Sequence, residues 1–146
     1  MISIAKEEDL SHVVDLVMHL DSNYGFNGLP RAKREVVKES IRENWLQSPC
    51  FLVTKDDKII GFSSTCYGDY GWTDEKFLST FITYVLPEHR NIGIVKQLYN
   101  AIKKYAKLQG VLLIDAHLAT ERVDGRRRLL LSQGFKESGF LLTYKG

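Results

Sequence analysis

The segment from Tyr84 to Leu98 constrains the fold of this chain more than any other. An apolar strand pattern runs through a short loop and a glycine into an amphipathic helix pattern. The first amides of a helix have no carbonyl partner within it, and the helix dipole favours an anion at that end. The sequence places the amides of Ile92 to Val95 there, and Gly93 lets the backbone approach a ligand. The segment therefore predicts a strand–loop–helix unit that binds a phosphate group.

Length and composition indicate a single domain over residues 1–146, long enough to bury a core. No apolar run approaches the ~20 residues that span a bilayer, so no membrane partner is expected. The 20 basic and 18 acidic residues give a net charge of +2, which offers no electrostatic reason to expect nucleic acid as the main partner. The N-terminus lacks the basic start and apolar core of a secretion signal, which favours a cytoplasmic location.

The two cysteines, Cys50 and Cys66, are too few for a disulfide framework and lie in apolar strand-like runs. Neither has a His or Cys at metal-ligand spacing. We therefore expect two buried thiols and no metal.

The one basic run covers residues 126–128. Three consecutive residues spread around most of a helix turn, which favours solvated guanidinium groups near a helix start. The alternative is that one of the arginines forms a salt bridge with a cofactor phosphate.

Hydrophobic spacing predicts helices and strands along the whole chain. Apolar residues at helical spacing predict helices around 10–20, 37–45, 94–108 and 129–131. β-rich runs predict strands at 2–4, 50–54, 59–67, 77–86, 111–114 and 140–144. Asp56 and Asp57 indicate a hairpin turn, and Gly110 indicates a left-handed helix end. The run 111–114 is continuously apolar, which is typical of a strand buried on both faces.

The strand–glycine–helix segment resembles motif A of the GNAT N-acetyltransferases. In that family Arg/Gln-x-x-Gly-x-Gly/Ala follows a strand that ends in Val-x-Pro-Glu-x-Arg, and the matching residues here are Val85, Pro87, Glu88, Arg90 and Gly93. Val95 stands where the family has Gly or Ala, and its β-branched side chain would narrow the approach of a pyrophosphate. The element order also resembles the family's, and residues 132–135 stand in place of its late Glu-x-x-Gly-Phe stretch.

The resemblance implies an α/β (α+β) fold with a mixed sheet of six to seven strands, flanked by about four helices and splayed between its fourth and fifth strands. Acetyl-CoA would lie in the gap as co-substrate, with backbone groups of the fourth strand binding its pantetheine arm and polarising its carbonyl. The cofactor-binding residues implied on this basis are Tyr84, Val85, Leu86, Arg90, Asn91, Ile92, Gly93, Ile94, Val95 and Lys96.

The family's usual acid and base are missing from this sequence. Leu130 stands at the position of the common tyrosine acid, and Ser79 corresponds to the strand carboxylate of some members. The remaining catalytic candidates are Tyr84, Tyr99, His117 and Tyr144. A packed aromatic role for Tyr99 and a structural hydrogen-bonding role for His117 are alternatives. His117 would suit a base because an unperturbed histidine has a pKa of ~6.5.

An acidic and aromatic loop precedes the predicted fourth strand. Such a loop suits an ammonium group through charge attraction and cation–π contact. The candidate acceptor contacts are Tyr24, Asp69, Tyr70, Trp72, Asp74 and Glu75. The alternative is a polar surface loop with packed aromatics.

These features together favour an acetyl-CoA-dependent N-acetyltransferase. It would transfer an acetyl group directly to a primary amine of a small molecule, peptide or protein, and the acidic and aromatic loop favours a cationic one. Two other functions stay open: a non-catalytic acyl-CoA-binding protein, and an interaction module that could form a homodimer. Binding of CoA and turnover distinguish the three.

Overall fold

The computed structural model describes residues 1–25, 30–115 and 123–138. Its described strands form one sheet in the order β1 (Ile2–Ile4), β2 (Cys50–Lys55), β3 (Lys58–Asp69), β4 (Lys76–Val85) and β5 (Leu112–Asp115). The first four pair antiparallel, and β5 pairs parallel to β4. The α-helices are α1 (Leu10–Asn23), α2 (Arg34–Trp45), α3 (Ile92–Gln109) and α4 (Val123–Ser132). The predicted mixed α/β architecture is confirmed, while the strand predicted at 140–144 lies outside the described residues.

Two hydrophobic clusters lie on the two faces of this sheet. The first packs α1 and α2 against side chains such as Leu52, Phe62 and Tyr84. The second packs α3 and part of α4 against side chains such as Phe51 and Leu78. Neighbouring residues of β2 belong to opposite clusters because strand side chains alternate between faces.

Two local predictions are confirmed by backbone geometry. Asp56 and Asp57 join β2 to β3 with φ angles of 50° and 61°, the left-handed values that a two-residue hairpin turn of type I′ requires. Helix α3 ends at Gly110, whose φ of 69° is left-handed, and its N–H contacts the carbonyls of Ala106 and Lys107.

A β-bulge interrupts β4. Ser64 pairs with Ile82 and Thr65 pairs with Thr80, so that Phe81 has no opposite residue on β3. The pairing of β4 with β5 ends at Thr80 and Asp115, next to the bulge. From Phe81 to Val85, β4 therefore has β3 on one side and no described strand on the other, at the place where the sheet was expected to splay.

Two expectations need correction. Leu112 at the start of β5 is 59% exposed, because this strand is the last described one of the sheet and only one of its faces packs under α3. Cys50 is buried as predicted, but Cys66 is partly exposed. No helix among the described residues is both long and apolar enough to cross a membrane.

Candidate active site

The segment from the end of β4 to the start of α3 passes through one 3₁₀ turn, Pro87–His89. Asn91 caps α3, and its side-chain oxygen accepts a hydrogen bond from the Ile94 N–H at 2.9 Å. The Val95 N–H donates to the Asn91 carbonyl at 3.3 Å. Of the four amides predicted to be open, those of Ile94 and Val95 are thus already engaged. The amides of Ile92 and Gly93 donate to no described protein group.

The side chains of this first turn point in different directions. Val95 is half-buried and packs against the cluster beneath α3, so its side chain faces the core. A β-carbon on Gly93 would lie 3.2 Å from the capping oxygen of Asn91, closer than ordinary packing allows. Ile92 and Lys96 are exposed. Around Gly93 the open surface of the turn is therefore backbone, which is what an anion-binding helix start requires, and the exposed side chains of Ile92 and Lys96 flank it.

Arg90 folds back toward the end of β4. Its Nε donates to the Val85 carbonyl at 2.8 Å. Its guanidinium carbon lies 5.1 Å from the ring centroid of Tyr24 and 5.3 Å from that of Tyr84, within cation–π range. Arg90 thus fixes the loop against β4 and α1. A direct contact between Arg90 and a phosphate stays a prediction.

The Tyr84 side chain is buried and lies within hydrogen-bond reach of a second titratable group. Its hydroxyl oxygen is 2.6 Å from Nδ1 of His19 on α1. Burial raises the pKa of Tyr84 above its ordinary value, although the nearby Arg90 charge lowers it. The phenol therefore keeps its proton at neutral pH and can donate to an unprotonated Nδ1, while the exposed imidazole contacts solvent. Sequence reasoning identified Tyr84 but missed His19, because no local spacing connects residues 65 positions apart.

Tyr99 lies in the core beneath α3, and its hydroxyl belongs to a buried polar network. Asp115 at the end of β5 accepts hydrogen bonds from the Tyr99 hydroxyl at 2.9 Å and from the Thr80 hydroxyl at 2.5 Å. Arg126 of α4 donates to both carboxylate oxygens of Asp115, at 2.6 and 2.5 Å. Burial raises the pKa of Tyr99. The network lies where β4 and β5 stop pairing, since Thr80 and Asp115 are the last paired residues.

This network corrects the expectation for the arginine run. Arg126 is mostly buried and pairs with the Asp115 carboxylate, because the side of α4 that carries Arg126 faces the end of β5. Arg127 forms an ion pair with Glu137. Arg127 and Arg128 are both exposed, as expected. Leu130, one turn after Arg126 on the same side of α4, is buried in the core.

The remaining candidates fall elsewhere. His117 and Tyr144 lie outside the described residues. The acidic and aromatic residues gather in the β3–β4 hairpin, where Tyr70 stacks near Trp72 with ring centroids 5.6 Å apart. Ten residues of β4 separate this hairpin from Val85, a span of about 30 Å at strand rise. The structure brings Tyr24 to Tyr84 but leaves Asp69, Tyr70, Trp72, Asp74 and Glu75 at the other end of the strand, so their role stays a prediction.

A cavity of about 580 Å³ lies between α1, α2 and the sheet. Its apolar lining includes Val17, Val37, Ile41, Phe62, Phe81 and Ile82. Its polar and charged lining consists of Arg31, Lys33, Ser40, Asn44, Ser64 and Cys66. The cavity reaches β4 at the bulge, two residues before Tyr84. A chamber of this size matches those that hold small organic ligands.

Comparison with known proteins agrees with this arrangement. The family model described as the acetyltransferase (GNAT) family matches residues 14–135, so the chain belongs to that family and is an N-acetyltransferase by class. No curated protein gives a significant match.

Solved structures share the fold at low sequence identity. A possible acetyltransferase from Clostridium difficile 630 aligns with a TM-score of 0.77 and 18% identity, over 100% of this chain and 96% of the other. The aminoglycoside N-acetyltransferase AAC(6')-Iy, in complex with CoA, gives 0.76 and 17%, over 100% and 93%. The aminoglycoside acetyltransferase meta-AAC0020 from an uncultured soil metagenomic sample, in complex with trehalose, gives 0.75 and 16%, over 99% and 95%.

Proposed function

We propose that this protein transfers the acetyl group of acetyl-CoA directly to a primary amine. The observation that carries the proposal is the continuous path from β4 to α3. Residues Phe81–Val85 have no described strand partner on the β5 side, and the open amides of Ile92 and Gly93 follow after the 3₁₀ turn. Five strand residues span about 16 Å, which suits an extended pantetheine arm that pairs with β4 as a strand would. The helix start then receives the pyrophosphate.

Similar proteins support the choice of co-substrate. One aminoglycoside N-acetyltransferase of the same fold was solved with CoA, and again with a bisubstrate analogue that joins CoA to an acetylneamine group. These complexes show ligands of that enzyme and not of this chain. For this chain they support acetyl-CoA as co-substrate and an amine-bearing small molecule as acceptor.

Groups on and beside β4 can stabilise the developing negative charge and transfer the protons that the reaction requires. The bulge at Phe81 frees backbone groups from the β3 ladder, and such a group can stabilise negative charge on the acetyl oxygen. The amine nitrogen forms a bond to the acetyl carbon, and the carbon–sulfur bond breaks. Tyr84 gives its proton to the departing thiolate, and His19 returns to Tyr84 the proton that the amine nitrogen loses, directly or through solvent. The products are an acetylated amine and CoA with a free thiol.

Thiol release from acetyl-CoA tests the proposal directly. A panel of amines should include polyamines, aminoglycosides, amino acids, peptides and simple arylalkylamines, with a reaction lacking amine as the control. We expect amine-dependent release with at least one class, together with CoA binding by calorimetry. Failure to bind CoA at millimolar concentration would disprove the assignment. Binding without turnover on any amine would favour the non-catalytic acyl-CoA-binding alternative instead.

A further inference from the structure

We propose that the acceptor is a monoamine with a mainly hydrocarbon body, which occupies the cavity between α1, α2 and the sheet. This inference rests on the proposed acetyl transfer and adds the substrate class. The cavity reaches β4 at Phe81 and Ile82, where the free stretch of β4 begins, so a molecule inside it can present an amine to the acetyl group. The aminoglycoside acetyltransferases of the same fold do not determine the acceptor of this chain.

The lining of the cavity has the chemistry of a hydrocarbon site. Aliphatic and aromatic side chains from both helices and both central strands form most of it. Burial of the CH₂ groups of a ligand against such a lining is favourable because it removes apolar surface from water. An apolar surrounding also disfavours the ammonium form of an amine, and so favours the neutral nucleophile that the reaction needs.

The charges of the cavity oppose a polycationic acceptor. None of its described lining residues is Asp or Glu, whereas Lys33 contributes a cation and Arg31 a second one that is paired with Asp21. The Asp21 carboxylate that pairs with Arg31 is buried, and both its oxygens accept hydrogen bonds. One accepts from Arg31 Nε at 3.0 Å and the other from the Ala32 N–H at 3.1 Å. A second or third ammonium group would therefore lose its hydration without gaining a counter-charge.

Some of the neutral polar groups of the lining already form hydrogen bonds within the protein. Asn44 donates to the Thr65 carbonyl at 2.6 Å, and Ser64 lies 3.4 Å from the same amide nitrogen. These groups can orient one amine but do not form a polar site for a sugar or a polyamine. Ser40 is exposed on α2 at the side of the cavity, so a larger residue there can fill the cavity without disturbing the core.

A substrate comparison tests this inference. We expect kcat/KM for 2-phenylethylamine to exceed that for spermidine or kanamycin by at least about tenfold, a ratio within reach of a hydrophobic pocket. Ser40→Phe should lower kcat/KM for 2-phenylethylamine about tenfold or more and leave CoA affinity unchanged. Gln47→Phe, which adds the same ring at an exposed position outside the cavity, is the matched control and should have no effect.

Alkylation of Cys66 gives a readout that does not need turnover, because its side chain lines the cavity. 2-Phenylethylamine should slow the reaction of Cys66 with iodoacetamide, and spermidine should not. Preferred acetylation of a polycation, or equal protection by both amines, would overturn the inference while acetyl transfer stands. Protection by 2-phenylethylamine without turnover on any amine would support the cavity assignment and contradict the proposed reaction.

Discussion

The imidazole of His19 and the phenol of Tyr84 join an exposed helix surface to the buried end of the central strand, with 2.6 Å between Nδ1 and the hydroxyl oxygen. Tyr84 lies in the core, whereas His19 is exposed. A proton can therefore pass between solvent and an interior donor through one hydrogen bond.

Replacing either partner should slow acetyl transfer without abolishing it. We expect Tyr84→Phe and His19→Ala to lower kcat about ten- to hundredfold, less than the thousandfold or more that a dedicated acid–base residue can supply. Orientation alone can contribute ~7–11 kcal/mol to the rate, so a missing acid is tolerated. Single replacements of Tyr99, His117 or Tyr144 should also lower kcat by less than about a thousandfold. His12→Ala, at an exposed site on α1, is the control, and a loss above about a thousandfold for any one residue would contradict the expectation.

A carboxylate at the start of α3 should block the pyrophosphate. Gly93→Asp adds negative charge and bulk beside the open amides, and its β-carbon would also crowd the capping oxygen of Asn91. We expect CoA affinity to fall at least about tenfold by calorimetry, the effect of losing one favourable charge contact of ~1.4 kcal/mol. Gln97→Asp places the same charge further along α3, outside the first turn, and should change affinity little. If the two variants weaken CoA binding equally, the pyrophosphate does not bind at this helix start.

Removal of Arg126 should destabilise the protein because it leaves the Asp115 carboxylate buried without its counter-charge. The expected loss of unfolding free energy is about 2–4 kcal/mol, measured by urea denaturation. Arg128→Leu, at an exposed position, is the matched control and should cost little. Adding Asp115→Asn to Arg126→Leu should recover part of the loss, since the uncompensated charge is gone. No recovery would show that packing rather than charge dominates.

The stability of the protein should fall at alkaline pH through Cys50. Burial raises the pKa of this thiol from its usual 9.0 to about 12. The folded state therefore keeps a proton that the unfolded chain loses, so the stabilisation is complete below pH 9 and declines as the pH rises from 9 towards 12. Between pH 8 and 10 the wild type should lose about 1 kcal/mol more unfolding free energy than Cys50→Ala. Parallel pH curves for the two proteins would disprove this.

The acidic residues of the β3–β4 hairpin should affect binding of the acceptor amine more than binding of CoA. The β3–β4 hairpin lies about 30 Å from Val85, beyond the Debye length of about 8–10 Å at ordinary salt but within the roughly 30 Å that applies at 0.01 M salt. Neutralising Asp69, Asp74 and Glu75 to Asn and Gln should therefore raise KM for the best amine at low salt, with CoA affinity nearly unchanged. The effect should shrink as salt is added. An unchanged KM at low salt would show that the hairpin is only structural.

The sequence predicted what depends on local patterns and missed what depends on distant partners. Alternation, helical spacing and Gly110 identified the described strands and helices, because each is determined within a few residues. The same reasoning placed Arg126 in solvent and made no use of Asp115, since their ion pair forms only when α4 packs beside the end of β5. His19 was missed for the same reason.

The Phe81 bulge has one more consequence, which concerns the direction of every side chain beyond it. Leu78 and Tyr84 are an even number of positions apart, so an uninterrupted strand would point them to the same side. They belong instead to opposite hydrophobic clusters. The extra residue reverses the alternation, so that one strand supplies apolar side chains first to the layer under α3 and then to the layer under α1. If the same residues formed a regular strand, the Thr83 hydroxyl would be buried where the Tyr84 ring now packs, so the bulge is a requirement of the core as well as of the site.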